Sequence, residues 1–375
     1  MTALSELRLR NFRSYTEACL TGLASSFVVL TGDNGAGKTN ILEAISLLSP
    51  GKGMRSADLD DLQNREMRVP WGISANVSTS FGSVLVATAK DSLKNKRTVH
   101  IQGELVKSQS LLLEYFSCLW LTPQMDRLFI DASGARRRFL DRMVYSFDGG
   151  HAGRITRFEN ALSQRSKLLK DGNASPVWLT SLENQMAESG VAVAAARNDF
   201  VDRLQQVCNR RPSKDFPRAI LSLNGFIEQE LQHHSALETE EKYKNFLARN
   251  REEDAVTGGA AAGIHRSDFC VTYADKNMPA QDCSTGEQKA LLIGIILSQA
   301  DLINAERGTP PLLLLDEVAA HLDPNRRKAL YGLLSEIGGQ VWMTGTEAEI
   351  FSGLSGKNTS FLTVNSGQFL LQKIA

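Results

Sequence analysis

The chain has 375 residues, 42% of them hydrophobic, and its 42 Lys and Arg are balanced by 42 Asp and Glu. That length and apolar content exclude a disordered chain and allow two or three lobes, each with its own core. A formal net charge of zero excludes the simplest electrostatic case for a polyanionic partner, unless unlike charges are segregated along the chain.

Leu7, Leu9 and Phe12 alternate with Arg8 and Arg10, which predicts an opening strand. Phe27 to Thr31 is a second strand, apolar almost throughout, and it feeds a glycine loop. Asn40 to Leu48 has helical spacing and is stopped by Ser49, Pro50 and Gly51. Short strands with turns at Gly82, Asp91 to Lys96 and Gly103 are predicted from about Gly72 to Val106. From Arg136 to about Asn250 strand signals vanish and apolar residues recur every three or four positions. Only Asp171 to Pro176 and Pro212 to Pro217 interrupt that pattern, so a helical lobe is expected. Strand signals return at Val271 to Tyr273. A helix from Thr285 to Glu306, a strand at Leu312 to Leu315, a helix at Pro324 to Ile337 and a strand at Gln340 to Thr344 follow. The expected organisation is α/β. Residues 1–120 form the first half of a head, 121–256 the helical lobe and 257–375 the second half. No sustained heptad stripe predicts a long coiled coil.

The five cysteines show no CxxC spacing, so neither a zinc site nor a disulfide framework is expected, and all are read as reduced core thiols. The longest apolar runs, such as Ala290 to Leu297, fall short of the roughly 18–20 residues needed to span a bilayer. The opening Met1 to Tyr15 is charged and alternating, unlike a signal peptide. A cytoplasmic protein with no membrane partner is expected.

Gly32-Asp33-Asn34-Gly35-Ala36-Gly37-Lys38-Thr39, followed by Asn40, fits the phosphate-binding pattern GxxxxGK[ST] between an apolar strand and a helix. The glycines let successive N–H groups face phosphates, and the helix N-terminus adds partial positive charge. Lys38 is expected to reach the β- and γ-phosphates of a nucleotide, and the Thr39 hydroxyl to ligate Mg2+. Leu312 to Leu315 then delivers Asp316 and Glu317 to the C-terminal end of a buried strand, where α/β sheets place ligands. Asp316 is the expected metal-side carboxylate, and Glu317 the group that polarises the attacking water. The catalytic set is therefore Lys38, Asp316 and Glu317. Because 278 residues separate Lys38 from Asp316, most of the chain lies between the two halves of one site. Cys283-Ser284-Thr285-Gly286-Glu287-Gln288 precedes a helix, and Ser284 and Glu287 also suit an ordinary capping box.

Together these motifs resemble an ABC-type P-loop ATPase head with an inserted helical lobe. Ser284 and Gly286 match a degenerate signature, and His321-Leu322-Asp323 a D-loop. In such heads the signature of one subunit covers the γ-phosphate bound by the other, which implies an ATP-dependent homodimer. Within that class the chain is similar to the RecF family of DNA-repair ATPases. The resemblance rests on Leu7 to Tyr15, the loop with Ile41 to Ile45, Arg136 to Asp141, Gln164 to Ser166 and Gly263 to Asp268. It implies slow hydrolysis, recombinational repair of gapped DNA with RecR and RecO as mediator partners, help in RecA loading, replication restart and SOS induction. It also suggests Gln124 as a Q-loop metal or water contact and Arg13 as a nucleotide contact, each beside an equally simple reading as turn or surface residue. The usual H-loop histidine is not evident, and Thr344 or Thr346 offers a hydroxyl in its place.

The charge is unevenly distributed. Residues 136–170 hold nine basic and three acidic residues, whereas 228–254 hold eight acidic and four basic ones. Arg154, Arg157, Arg165 and Lys167 are therefore candidate contacts to the phosphates of single-stranded, gapped or double-stranded DNA. With no helix-turn-helix, zinc finger or stacking motif, such binding would read backbone or junction shape. A P-loop kinase acting on a small molecule and a transporter ATPase subunit are the alternatives. The kinase would need an acceptor pocket, and the wide separation of the two half-sites disfavours the transporter subunit.

Overall fold

The computed structural model describes residues 2–79, 82–172, 175–212, 215–356, 358–365 and 368–372. In chain order, β1 (Ala3–Phe12), β2 (Tyr15–Thr21), β3 (Phe27–Thr31), α1 (Lys38–Ser46), β4 (Gly72–Thr79), β5 (Gly82–Asp91), β6 (Lys96–Ile101), β7 (Glu104–Leu105) and β8 (Cys118–Leu121) come first. Next come α2 (Ser133–Tyr145), α3 (His151–Asp171), α4 (Pro176–Arg210), β9 (Ala219–Asn224), α5 (Phe226–Glu230), α6 (Ala236–Arg249), α7 (Arg251–Thr257), β10 (Asp268–Tyr273) and β11 (Met278–Pro279). The chain finishes through α8 (Thr285–Arg307), β12 (Leu312–Leu315), α9 (Pro324–Ile337), β13 (Val341–Gly345), β14 (Thr359–Asn365) and β15 (Gln368–Gln372).

The chain divides into two compact units. The first holds the described residues of 1–126, 212–216 and 292–375, and the second those of 127–211 and 217–291. In the first unit, β3 and β12 are buried along their whole length, as strands covered on both faces must be. They lie in a sheet of order β15-β14-β3-β13-β12-β8, in which only the β14–β15 pair is antiparallel. A second, antiparallel sheet has the order β2-β1-β4-β5-β6-β7. One apolar core joins Leu7, Leu9 and Ile73 of this sheet, Ile41 and Ile45 of α1, and Leu314 and Trp342 of the parallel sheet. Buried Gln340 stitches the layers: its Oε1 accepts from Leu4 N–H at 2.8 Å and Trp342 Nε1 at 3.0 Å, and its Nε2 donates to the carbonyls of Leu4 and Ala24. A polar side chain in a core is tolerated when all its bonds are made, as here.

The second unit is helical around the 35-residue α4, which packs on α3 and α6 through Phe158, Met186, Ala187, Ala194 and Leu247. Two departures from the sequence-based expectation follow from pairing. The helical lobe contains a strand, β9, whose partner is β10 in full antiparallel register from Ala219↔Tyr273 to Asn224↔Asp268. That pairing carries residues 257–291 into the helical unit, so the head resumes near Leu292 and not at 257. β2, β8, β14 and β15 were not predicted either. All cysteines are free, but Cys19 is exposed, on the outward side of alternating β2, and is no core thiol. Among the described residues, no helix is long and apolar enough to cross a membrane.

Candidate nucleotide site

Strand β3 delivers the chain into the glycine loop between its parallel neighbours β13 and β14. Gly32 has φ 142°, and a Cβ there would sit 2.2 Å from the Val364 carbonyl oxygen of β14. Gly37 has φ 110°, and its Cβ would meet the Tyr15 hydroxyl at 2.6 Å. Both positions demand a residue without a side chain. Tyr15, buried, donates to the Gly37 carbonyl at 3.0 Å, and its burial pushes the phenol pKa up. Asp33, Asn34 and Gly35 are exposed at the crest, with Ala36 N–H returning to the Asp33 carbonyl at 3.2 Å.

Lys38 opens α1 and is 4% exposed. Its Nζ donates to the carbonyls of Gly32 at 2.6 Å and Asp33 at 2.8 Å. Burial lowers its pKa, and the carboxylates of Glu317, Asp316 and Asp33 oppose that shift. Thr39 donates its hydroxyl to Asp316 Oδ1 at 3.0 Å, so the two halves of the site, 277 positions apart, meet directly. Burial raises the Asp316 pKa; hydrogen bonds from Thr344 and Thr39 pull it back, and neighbouring Glu317 raises it further. Thr344, buried at the end of β13, donates to the same Oδ1 at 2.8 Å and accepts Glu317 N–H at 2.9 Å. Glu317 sits at φ 54°, left-handed for a non-glycine residue, which costs on the order of 1–3 kcal/mol and marks functional positions. A hard divalent cation fits a hydroxyl and a carboxylate oxygen this close together.

Gln124 is exposed in the turn Pro123–Arg127, three residues beyond β8. β8 pairs with β12, and Asp316 N–H donates to the Leu121 carbonyl at 2.9 Å, so Gln124 follows the strand next to the one that delivers Asp316. Arg13 is committed elsewhere. Its Nε and Nη2 grip the Glu43 carboxylate at 2.8 and 2.7 Å, and its Nη1 donates to the Asp61 carbonyl at 2.7 Å. The expected nucleotide contact is thus a brace on α1, because Glu43 is 1% exposed and needs a cation. Arg55 joins the brace, donating to Asn40 Oδ1 at 3.1 Å and Glu43 Oε2 at 3.4 Å. Asn40 also donates to Ser14 Oγ at 2.9 Å.

In the second unit, Ser284 and Gly286 are exposed at the N-terminus of the 23-residue α8. Ser284 N–H and Oγ donate to Glu287 Oε2 at 2.9 and 2.8 Å, a capping arrangement. The Lys276 ammonium, then Ser284, hold the Glu287 carboxyl at a pKa of about 2. In the first unit Asp323 caps α9, accepting from the N–H groups of Asn325 and Arg326 at 3.0 Å. The side chain of His321 lies outside the described residues.

Residues 3–365 match the model of the RecF/RecN/SMC N terminal domain family. Curated relatives named DNA replication and repair protein RecF are 45% identical: that of Mesorhizobium japonicum over 98% of this chain and 97% of its own, and that of Agrobacterium fabrum over 97% of each. The chain belongs to the RecF family. The fold agrees. A solved structure titled as the recombination mediator protein RecF-ATPrS in the RecFOR pathway superposes with a TM-score of 0.86 at 23% identity, covering 100% of this chain and 98% of that one. The Smc head domain of Pyrococcus furiosus, at 15% identity over 99% and 96% of the two chains, gives 0.54.

In this RecF-family chain the basic stretch is less uniform than its charge count suggested. Arg165 is fully buried: its guanidinium donates to Glu183 at 3.0 Å, Asp254 at 2.7 Å and the Leu247 carbonyl at 2.7 Å. It is an internal cation and is withdrawn as a DNA contact. Arg136, from the same charge run, is spent on Asp268 at 2.7 and 2.8 Å. Arg154 pairs with Asp148, and Arg157 stands exposed 3.8 Å from Glu188. Lys167 is exposed on α3. Tyr15, Glu43 and Arg55 were missed by sequence reading. An acid at Glu43, within the apolar run Ile41 to Ile45 of α1, was the one available signal.

Proposed function

We propose that this chain is an ATP-dependent DNA-binding protein of recombinational repair, which closes as a dimer when ATP is sandwiched between two copies and opens after slow hydrolysis. The observation that carries the reading is the 3.0 Å bond between Thr39 and Asp316, joining a phosphate loop to a metal-side carboxylate. The N–H groups of the loop and Lys38 bind the β- and γ-phosphates, while Thr39 and Asp316 hold Mg2+. When bound, Mg2+ supplies charge neutralisation across those phosphates. Glu317 orients the attacking water and takes up its proton. Exposed Ser284 and Gly286 belong to the face offered to the partner copy's γ-phosphate, and Gln124 to the metal or water side of the site. The RecFOR pathway named for the matching structure and the relatives' names support DNA and RecR- and RecO-type mediators as partners; gapped DNA, RecA loading downstream and a cytoplasmic location belong to the same reading. Arg157, Lys167 and, after release from Asp148, Arg154 supply phosphate contacts.

The test is sedimentation with ATP and gapped DNA. Lys38→Met should lose ATP binding and remain monomeric, whereas Glu317→Gln should bind ATP and accumulate as a DNA-bound dimer. Monomers for both the parent and Glu317→Gln would sink the sandwich. Rapid phosphate transfer to a metabolite, without any DNA effect, would favour the kinase.

A further inference from the structure

Thr344 is the last polar side chain of β13, after Val341, Trp342 and Met343, and it is 1% exposed. For packing alone valine has the same shape, and a buried hydroxyl is unfavourable unless bonded. A threonine hydroxyl has one proton to give and lone pairs to accept with. Here the proton goes to Asp316 Oδ1 at 2.8 Å, and the Glu317 N–H is received at 2.9 Å. Both bonds thus end on the two acidic residues of the site. Thr39 donates to the same Oδ1, so two hydroxyls, one from α1 and one from β13, hold the rotation of the Asp316 carboxylate. The second bond holds the amide of a residue whose backbone is left-handed.

We infer that Thr344 is a positioning residue for hydrolysis: one hydroxyl couples the metal-side carboxylate of Asp316 to the backbone that aims Glu317. It acts through those two residues, the partners of its hydroxyl. The inference rests on the ATPase reading above and gives the Thr344 hydroxyl, until now only a substitute for an absent histidine, a defined role through Asp316 and Glu317.

The experiment uses the full chain with ATP and varied Mg2+. Thr344→Val should lower kcat by roughly tenfold to a hundredfold, the usual effect of losing a group that orients a metal-side ligand. The KM for ATP should stay within about threefold of the parent, while the Mg2+ concentration for half-maximal rate rises. Thr344→Ser, which keeps the hydroxyl, should recover most of kcat. Parent-like kcat and Mg2+ dependence in Thr344→Val would overturn the inference alone. So would a Thr344→Ser variant as impaired as Thr344→Val, since shape and not the hydroxyl would then matter. A parent chain without Mg2+-dependent hydrolysis would overturn the inference together with the ATPase reading.

Discussion

Replacing Arg165 by Met separates an internal cation from a DNA contact. Methionine fills the aliphatic stem but removes the guanidinium, leaving Asp254, which is 1% exposed, without its cation. Glu183 keeps Arg251, whose Nε and Nη2 reach it at 2.9 and 2.5 Å, so one carboxylate is orphaned and not two. The Leu247 carbonyl also loses its donor. Breaking a buried pair from one side costs about 3–5 kcal/mol, and a second-unit midpoint would fall by roughly 6–20 °C at 2–4 °C per kcal/mol. The assay is urea and thermal unfolding followed by the helical signal, with salt-dependent DNA binding measured on the same preparations. Lys167→Ala, two positions along α3 and exposed, is the control and should change stability by no more than about 0.5 kcal/mol while weakening DNA binding. An Arg165→Met variant as stable as the parent, with weakened DNA binding, would refute the internal assignment.

Glu287 has its pKa depressed to about 2 by Lys276 and Ser284, so its contribution is present above the ordinary carboxylate range and lost as pH falls toward about 2. Carbon-detected titration should find it far below 4.5, and Lys276→Met should move it upward; an unmoved value would dissolve the pair. Gln340→Leu should destabilise the first unit by at least about 3 kcal/mol, because backbone groups of Leu4 and Ala24 lose buried partners. A denaturation loss below about 1 kcal/mol would mean that water or rearrangement replaces the glutamine.

The phosphate loop and the Asp316–Glu317 strand end were legible because their chemistry resides in contiguous residues whose types are demanded by backbone geometry or by metal and water. The turn at Gly103 and the span of β12 were legible for the same local reason. Partnership was not. Ala219, Leu221 and Leu223 alternate only over six residues, and a strand that short is defined by β10, some fifty positions away. Arg165 lies at helical spacing from Phe158 and Ala161, both buried, so the stripe itself placed it inward. Counting charge along the chain discarded that information. Arg13 and Thr344 are read correctly only once Glu43 and Asp316 are known to face them.

The neighbours of β3 have a temporal consequence. This strand, residues 27–31, is made well before its sheet partners, because the strands on either side of it are β13 and β14, more than 300 positions later. At about 5–20 residues per second, a ribosome leaves Phe27 to Thr31 without sheet partners for some 15–60 s. The Val364 carbonyl that demands glycine at position 32 arrives later still, with β14. A nascent chain halted before β13 therefore carries the phosphate-loop sequence without its shape, and competence to engage nucleotide becomes a report that synthesis has passed β14.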